Sequence, residues 1–522
     1  SVNKQGLAQP ATAFTVTQAR LAEIWREVLG IAPRSPQINF FELGGNSLTA
    51  TQMVSRIRNQ FGVNFPLQDF FLGPTLAEMA VNLELLTERH NALFTTPTIT
   101  PVSRDQNLPL SFSQERMWFV HQLDPDNTAY SVVGAMRLKG EFDQALMQRS
   151  LNELVKRHES LRTTFPAIKG QPVQRIAPAL AITFDRFDLS NWPEAGREAE
   201  TMRRLEAEAA KPFDIEKGPL VRVAVLKISV QEHVLLLNMH HLITDGWSMS
   251  VFGQELLAVY KALVAGKAPE LPDLPIQFAD YAYWQRQWFQ GEVHETHLNY
   301  WRRQLEGVTP LNLPTDHPRP AIQTYNGSFI VTEFDDELLE GVRRLATAAG
   351  ATPFMVELAA FQVWLYRYSG QSDIVVGTPL ANRDWVQSES LIGSLVTTLP
   401  MRVKLEGRPT FREFLQQVRQ VALDAYTYQN IPFATLVTQL NPHRDTSYSP
   451  LAQVMFNVIN VPMPSMELED LEIEQIEVDR LGTQFDLSFY LVDTPRLHNL
   501  RVEFNIDLFE RATIERLLAH YL

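Results

Sequence analysis

Two adjacent histidines, His240 and His241, are followed by Asp245 and Gly246 in the segment HHLITDG. The segment comes directly after the apolar run 234–239, which predicts a buried strand, and before a helical pattern. A loop between a strand and a helix is a common place for catalytic groups, because the core fixes both of its ends. Gly246 permits close approach of the backbone to a ligand. The segment is therefore a candidate active-site loop.

Two other interpretations of the histidine pair remain open at this point. A metal site would use His233, His240 and His241, but adjacent residues of a strand point to opposite faces, so the last two chelate poorly together. We therefore expect no metal. The second alternative is a purely structural pair of histidines.

A second candidate site is Ser47, in the segment FFELGGNSL at 40–48. A long loop ends there and a helical stripe begins, so Ser47 is predicted at a helix N-terminus. The two glycines leave its hydroxyl uncrowded, and the free amides and helix dipole would favour a phosphodiester on that oxygen. The plainer alternative is that Asn46 or Ser47 only caps the helix.

Other chemistry has little support in the sequence. The chain contains no cysteine, so disulfides, zinc–thiolate sites and a cysteine nucleophile are excluded, and any thiol must be imported. The sequence has no GxSxG elbow, so an acyl-enzyme is not indicated, and it has no GxxxxGK loop, so nucleotide binding is not indicated. With 46 Lys and Arg against 60 Asp and Glu, the net charge of -14 makes binding to nucleic acid or a membrane surface unfavourable.

The chain has 522 residues, more than a single hydrophobic core usually organises, so we expect several domains. No apolar run is long enough to cross a bilayer, and no signal-peptide pattern opens the chain, which favours a soluble cytoplasmic protein. The chain begins with Ser and stops inside the amphipathic pattern 513–522, which indicates a piece of a longer protein.

Hydrophobic periodicity predicts the elements that position both sites. Helical stripes over 14–89 predict a small all-α bundle of three or four helices, and the Thr- and Pro-rich stretch within 90–107 predicts a flexible linker. Its 13 residues 95–107 would span roughly 40 Å when extended. Beyond it, strands alternate with helices; the runs 220–228 and 234–239 predict a hairpin. We expect two α/β lobes, 108–275 and 276–522.

Both candidate sites resemble motifs of nonribosomal peptide synthetases. The segment around Ser47 resembles a peptidyl carrier (thiolation) domain, although Asn46 departs from the Asp or His often found before that serine. HHLITDG resembles the HHxxxDG motif of condensation domains. Further segments resemble that family's motifs in order: LSFSQERMWF at 110–119, RHESLRTTF at 157–165, FADYAYWQR at 278–286, IGSLVTTLPMR at 392–402, IPF at 431–433, and RD at 444–445 with SPL at 449–451.

This resemblance implies a four-helix carrier bundle and a two-lobed fold similar to chloramphenicol acetyltransferase. It implies that Ser47 carries 4'-phosphopantetheine, and that an amine on a downstream acceptor carrier attacks the donor thioester. His241 is then the principal catalytic candidate, while His240 is assigned to structure. Gly246 could bring an amide near the oxyanion.

Because a buried carboxylate needs a partner, Asp245 is predicted to be structural. Arg383 from the other lobe is one candidate partner and Arg162 is the alternative; either arginine could instead be solvated. The expected protein partners are adjoining adenylation domains of the same assembly line and a phosphopantetheinyl transferase.

Two rival functions remain. One is a coenzyme A-dependent acyltransferase, which the carrier and the lack of DFGWG disfavour. The other is a catalytically silent module that recruits a partner enzyme. Cyclisation, epimerisation and starter subtypes are disfavoured, and the first motif, with Gln114 to Phe119, is more similar to domains that accept an L-configured donor.

Overall fold

The computed structural model describes residues 14–88, 97–440, 445–459, 471–478, 482–494 and 497–522, and its first folded unit is a helical bundle. Its helices are α1 (Val16–Leu29), α2 (Ser47–Phe61), α3 (Leu67–Leu72) and α4 (Leu76–Glu88). Capping boxes start α1 at Thr15 and α2 at Asn46, and left-handed glycines end them at Gly30 and Gly62. The apolar helix faces close around a core that contains Trp25. The bundle therefore forms as predicted.

The remainder of the described chain mixes strands and helices. The strands are β1 (Leu108–Pro109), β2 (Ser131–Gly140), β3 (Thr163–Thr164), β4 (Ala167–Ile168), β5 (Gln171–Ile176), β6 (Phe184–Asp188), β7 (Val221–Lys227), β8 (Glu232–His240), β9 (Gly327–Glu333), β10 (Asp373–Leu380), β11 (Thr397–Lys404), β12 (Val454–Ile459), β13 (Leu471–Ile476), β14 (Leu487–Thr494) and β15 (Leu497–Asn505). The helices are α5 (Phe112–Leu123), α6 (Gln144–Arg157), α7 (Glu194–Ala209), α8 (Gly246–Val264), α9 (Phe278–Trp288), α10 (Gly291–Gln304), α11 (Asp336–Ala348), α12 (Pro353–Ser369), α13 (Val386–Glu389), α14 (Phe411–Thr427), α15 (Phe433–Leu440) and α16 (Arg511–Tyr521). The predicted α/β class is confirmed.

The first large sheet forms the N-terminal lobe, with the strand order β13-β2-β8-β7-β6. β7 and β8 are antiparallel, with Val221 opposite Met239 and Lys227 opposite His233, so the predicted hairpin is confirmed. β8 is buried along almost its whole length, because it lies between two strands and under helices on both faces. This buried strand fixes the start of the HHLITDG loop.

The second large sheet forms the C-terminal lobe, with the order β11-β10-β12-β14-β15-β9. Its core includes aromatic side chains of α12, such as Phe361 and Trp364, packed on Phe489 of β14. In the described part of the chain no single helix is long and apolar enough to cross a membrane; α11 and α12 together pass on length and composition but bend by 105° at their break.

The predicted boundary between the lobes needs one correction. β13 follows most of the C-terminal lobe in sequence, yet it pairs antiparallel with β2, from Leu471 opposite Gly140 to Ile476 opposite Ala135. The region 276–522 is therefore not one lobe, because the chain crosses back to extend the N-terminal sheet. A sequence pattern predicts a strand but not which distant edge it joins.

The predicted linker is also only partly free. Ile99 is 2% exposed and packs with Ile276 and Phe278. Arg104 donates to Asp280 at 2.6 Å and to Glu159 at 2.9 Å. Described residues from 97 onward are thus anchored to the larger region, which shortens the reach expected of 90–107. Residues 89–96 of the bundle end and linker, and Arg444 of a late motif, lie outside the described residues.

Candidate active site and carrier attachment site

The HHLITDG loop joins the end of β8 to the start of α8. His240 is the last residue of β8 and pairs with Ser131 of β2. The backbone N–H of His241 donates to the Tyr130 carbonyl at 2.8 Å, and Ile243 N–H donates to the His240 carbonyl at 3.0 Å. The loop backbone is therefore held by the sheet on one side and by its own turn on the other.

His240 is enclosed by the core. Its Nδ1 accepts the Leu242 N–H at 3.0 Å, so the neutral ring carries its proton on Nε2. Tyr130 and Phe213 rings pack against it. Burial, with smaller contributions from His121 and His241, lowers the pKa of His240 to about 3. His240 is thus a neutral core residue, which supports its assignment to structure.

His241 differs from His240 in exposure. Its side chain is only partly buried, whereas its neighbour in sequence lies inside the core. Consecutive residues at the end of a strand point to opposite sides, which explains the difference. Among the described residues, no three His, Asp or Glu side chains are grouped so that they could hold a metal ion. Of the pair, His241 therefore has the more exposed side chain.

Asp245 caps α8 and is saturated with hydrogen bonds. Its Oδ1 accepts from Ser248 N–H at 2.8 Å and Ser248 Oγ at 2.7 Å, and its Oδ2 accepts from Leu395 N–H at 2.9 Å. Arg383 Nη2 lies 3.0 Å from Oδ1 and 3.2 Å from Oδ2. Burial alone would raise the pKa of Asp245, but Arg383 and these bonds outweigh it and hold the pKa below its usual value. A carboxylate occupied in this way supports a structural role.

The partner of Asp245 comes from the other lobe. Arg383 is buried, and its Nη1 also donates to the Ser388 and Leu391 carbonyls at 2.6 and 2.7 Å. The alternative partner, Arg162, lies elsewhere: its Nη1 donates to the Ala177 carbonyl at 2.6 Å and its Nη2 is 4.0 Å from Glu159. Arg162 as the partner of Asp245 is therefore wrong, because a nearer carbonyl and carboxylate bind its guanidinium.

Gly246 is the first residue of α8 and is exposed. A Cβ placed there would meet no heavy atom within 4 Å, and its φ lies outside the left-handed region. Neither packing nor backbone geometry within the described chain requires a glycine. As the first helical residue, its N–H has no partner inside the helix. The open space on the Cβ side of Gly246 leaves room for a ligand there.

The other motifs hold the two lobes together behind this loop. Ser113 Oγ of α5 donates to the Ser394 carbonyl at 2.6 Å, and the Gly393 N–H donates to Ser248 Oγ at 3.0 Å. Gln114 Nε2 donates to the Leu242 carbonyl at 2.9 Å. These contacts were not predicted from the sequence. Only Ser248 carried a local signal, as a hydroxyl three residues after an N-cap aspartate.

Ser47 begins α2, as predicted. Asn46 Oδ1 accepts the N–H groups of both Leu48 and Thr49 at 3.0 Å. We expected these amides to be free to bind a phosphodiester, but Asn46 occupies them. The helix dipole remains. A Cβ on Gly45 would lie 2.2 Å from Phe40 Cδ1, so the tight turn two residues before Ser47 requires a glycine. The position of Ser47 at a helix N-terminus therefore suits an attached phosphodiester.

The bundle is packed on the C-terminal lobe, against α13 and α14. The Ser47 hydroxyl is shielded from solvent and lies next to the Tyr426 side chain of α14. Arg56 Nη1 and Nη2 bind the two carboxylate oxygens of Glu389 at 2.6 and 2.9 Å. Arg58 Nη1 donates to the Asp384 carbonyl at 3.1 Å. No local pattern in the sequence indicates this docking, because it depends on a surface formed only after both units fold.

Two families match the chain. Residues 104–522 match the family described as Condensation domain, and residues 19–81 match the family described as Phosphopantetheine attachment site. Tyrocidine synthase 3 of Brevibacillus parabrevis is 36% identical over 534 residues, covering 100% of this chain and 8% of that protein. Malpinin synthetase of Mortierella alpina is 38% identical over 501 residues, covering 96% of this chain and 6% of that protein. This chain therefore spans a small part of the relatives that it matches.

Solved structures agree with the fold. The X-domain in a complex with OxyB from teicoplanin biosynthesis has a TM-score of 0.74 at 27% identity, and the match covers 82% of this chain and 95% of that one. The first condensation domain of the calcium-dependent antibiotic synthetase has a TM-score of 0.67 at 21% identity, covering 80% and 95%. The chain is therefore a fragment of a nonribosomal peptide synthetase and belongs to the condensation domain family, a class of amide-forming acyltransferases, with a phosphopantetheine attachment domain preceding it.

Proposed function

We propose that this chain forms a peptide bond between a donor acyl or peptidyl thioester carried at Ser47 and the amine of an aminoacyl thioester on a downstream acceptor carrier. The observation that carries the proposal is the HHLITDG loop, fixed between the lobes by Asp245 and Arg383 while the carrier bundle is docked beside it. Phosphopantetheine bound at Ser47 would supply the thiol that a chain without cysteine lacks.

His241 positions the attacking amine and accepts its proton. An α-amino group titrates at about 7.7 to 8.0, so an appreciable fraction is already neutral before a base acts. The carbon–nitrogen bond forms while the carbon–sulfur bond breaks, and the proton lost by nitrogen must leave. A partly exposed imidazole on a rigid loop suits both tasks, because orientation and proton removal require fixed geometry. The N–H of Gly246, which has no partner inside the helix, is the donor we assign to the developing oxyanion.

The remaining partners follow from the same proposal. An adenylation domain loads the acceptor, a phosphopantetheinyl transferase modifies Ser47, and the donor is of the L-configured subtype. Gln114, in the motif that suggests this subtype, bonds the Leu242 carbonyl and so lies beside the active-site loop. That contact supports an influence of this motif on the loop.

Intact-protein mass spectrometry tests the function. The chain is loaded at Ser47 with a donor pantetheine thioester and mixed with an acceptor aminoacyl thioester. Transfer of the donor as an amide is expected for the unchanged chain and for His317→Ala, an exposed histidine outside the site. Transfer is expected to be lost in Ser47→Ala and His241→Ala. An amide formed at an unchanged rate by His241→Ala would refute the assigned role.

The same experiment separates the rivals. A silent recruiting module would load at Ser47 and form no amide with any acceptor. The similarity to an X-domain solved in a complex with OxyB makes this the second candidate. A coenzyme A-dependent acyltransferase would form the amide from soluble acyl-coenzyme A in Ser47→Ala as fast as in the loaded chain.

A further inference from the structure

One short segment contacts both the active-site loop and the carrier bundle. We call residues 383–389 the bridging segment; it follows β10 and ends with α13. At its start, Arg383 binds the Asp245 carboxylate. At its end, the Glu389 carbonyl accepts the Trp247 Nε1–H at 2.8 Å. Both contacts are with the first turn of α8 or its cap, so the bridging segment holds the loop from two directions.

The bundle also binds the bridging segment. Arg56 forms a two-pronged ion pair with Glu389, whose side chain is 16% exposed. The Arg58 guanidinium lies 4.3 Å above the Trp385 ring and donates to the Asp384 carbonyl. Planar guanidinium groups are suited to both kinds of contact. Two arginines of α2 therefore touch the bridging segment at Asp384, Trp385 and Glu389.

The electrostatics of the segment depend on these arginines. Asp384 is partly buried, and burial raises its pKa, while Arg58 and the Gln429 amide oppose that shift. Glu389 has Arg56 as its ion-pair partner. Departure of the bundle would take both guanidinium groups away from Asp384 and Glu389. The contacts that hold the segment in its docked geometry would then be lost, so we expect it to relax.

Trp385 connects the same region to the anchored linker. Its ring packs edge-on against Trp284 at 5.2 Å, and Trp284 Nε1 donates to the Pro97 carbonyl at 2.7 Å. The linker end, the bundle and the bridging segment thus meet in one aromatic cluster. A change in bundle position is transmitted to this cluster by direct contact rather than through solvent.

We propose that carrier docking positions the active-site loop, through Arg56 and Arg58 on the carrier and the bridging segment that carries Arg383. The inference rests on the proposed function and adds that docking does more than deliver the donor. Arg56, Arg58 and Glu389 are positioning residues, because they act through Arg383 and Trp247 rather than on the reacting atoms.

Amide hydrogen exchange of the full chain tests this without requiring turnover. The variants are Arg56→Glu, Glu389→Arg, the double reversal, and Arg26→Glu as a control on an exposed arginine of α1. We expect each single reversal to speed exchange about fivefold in peptides covering 241–250. The double reversal should restore most of the protection, and Arg26→Glu should leave it unchanged.

A kinetic readout distinguishes positioning from delivery. In the Ser47→Ala background the carrier holds nothing, and the donor is supplied as a soluble acyl thioester of N-acetylcysteamine. The single reversals should lower kcat for this donor about fivefold with little change in KM, and the double reversal should recover it. Unchanged loop exchange in both single reversals would overturn the inference, as would a soluble-donor kcat that is unchanged or raised. If no variant forms an amide, the proposed function fails, while loop exchange still decides the coupling.

Discussion

Reversing the charge of Glu389 should expose Ser47 to the enzyme that modifies it. In the docked bundle the Ser47 hydroxyl is shielded from solvent beside Tyr426, so a phosphopantetheinyl transferase needs the undocked bundle. Glu389→Arg replaces the partner of Arg56 with a like charge and leaves the bundle surface itself unchanged. The rate of modification should therefore rise in proportion to the undocked fraction.

The size of the effect follows from the ion pair. Its contacts are 2.6 and 2.9 Å and its side chains are 21% and 16% exposed, so solvent screens it in part. We assign about 0.5 to 1 kcal/mol to the lost pair and about as much again to the new repulsion at such distances. Together, about 1 to 2 kcal/mol corresponds to a roughly 5- to 30-fold change in the docking equilibrium.

The assay is the initial rate of phosphopantetheine transfer from coenzyme A, followed by intact mass at limiting transferase. Arg56→Glu combined with Glu389→Arg should bring the rate back toward that of the unchanged chain, and Arg26→Glu should not alter it. An unchanged rate in Glu389→Arg would refute the reasoning, because it would mean that the docked arrangement does not protect Ser47. High salt should also speed the unchanged chain, since it screens the same pair.

Three further predictions concern the two lobes. Arg383→Ala leaves the buried carboxylate of Asp245 without its cation, so it should lower the free energy of unfolding, measured in urea, by about 3 to 5 kcal/mol. A loss below about 1 kcal/mol would contradict the stabilising role of this ion pair. Glu357 is buried in α12, and burial raises its pKa to about 8 from an unfolded value of 4.5. The folded state thus holds this proton more tightly, so the free energy of unfolding falls as pH rises from 4.5 through 8. Glu357→Gln should remove roughly 2 to 3 kcal/mol of this fall between about pH 6 and 9. An equal fall in both proteins would refute the prediction. A Cβ on Gly482 would lie 2.8 Å from Ala129 Cα, and Ala129 precedes Tyr130, whose carbonyl accepts the His241 N–H. Gly482→Ala should therefore reduce amide formation without changing Ser47 loading. An unchanged kcat would contradict this prediction.

Local patterns predicted the parts of both sites that depend on neighbours in sequence. The buried run of β8, the loop after it and the start of α2 at Ser47 follow from hydrophobic periodicity and caps. The need of Asp245 for a cation was also predictable, because burial of an unpaired carboxylate is unfavourable. The choice between Arg383 and Arg162 was not predictable, because separation in sequence does not tell which arginine lies nearer to Asp245 in the folded lobes.

What the sequence could not reveal depends on surfaces that exist only after folding. β13 joins the N-terminal sheet because the edge of β2 is available for pairing. The sequence pattern of a strand does not specify which sheet edge it pairs with. The linker composition predicted an extended, solvated chain, but Ile99 finds an apolar cluster and Arg104 finds Asp280. In each case one buried contact with a distant residue outweighs the local tendency.

The docked arrangement and a modified Ser47 place different demands on the same surface. A phosphodiester on Ser47 needs space that the Tyr426 side chain occupies, so the modified bundle must shift relative to α14. The contacts of Arg56 and Arg58 lie two to three turns farther along α2 and do not involve that hydroxyl. A pivot about these arginines would free Ser47 while keeping the bridging segment bound. Modification and loop positioning are therefore compatible only if the bundle rotates on its arginine contacts rather than leaving them.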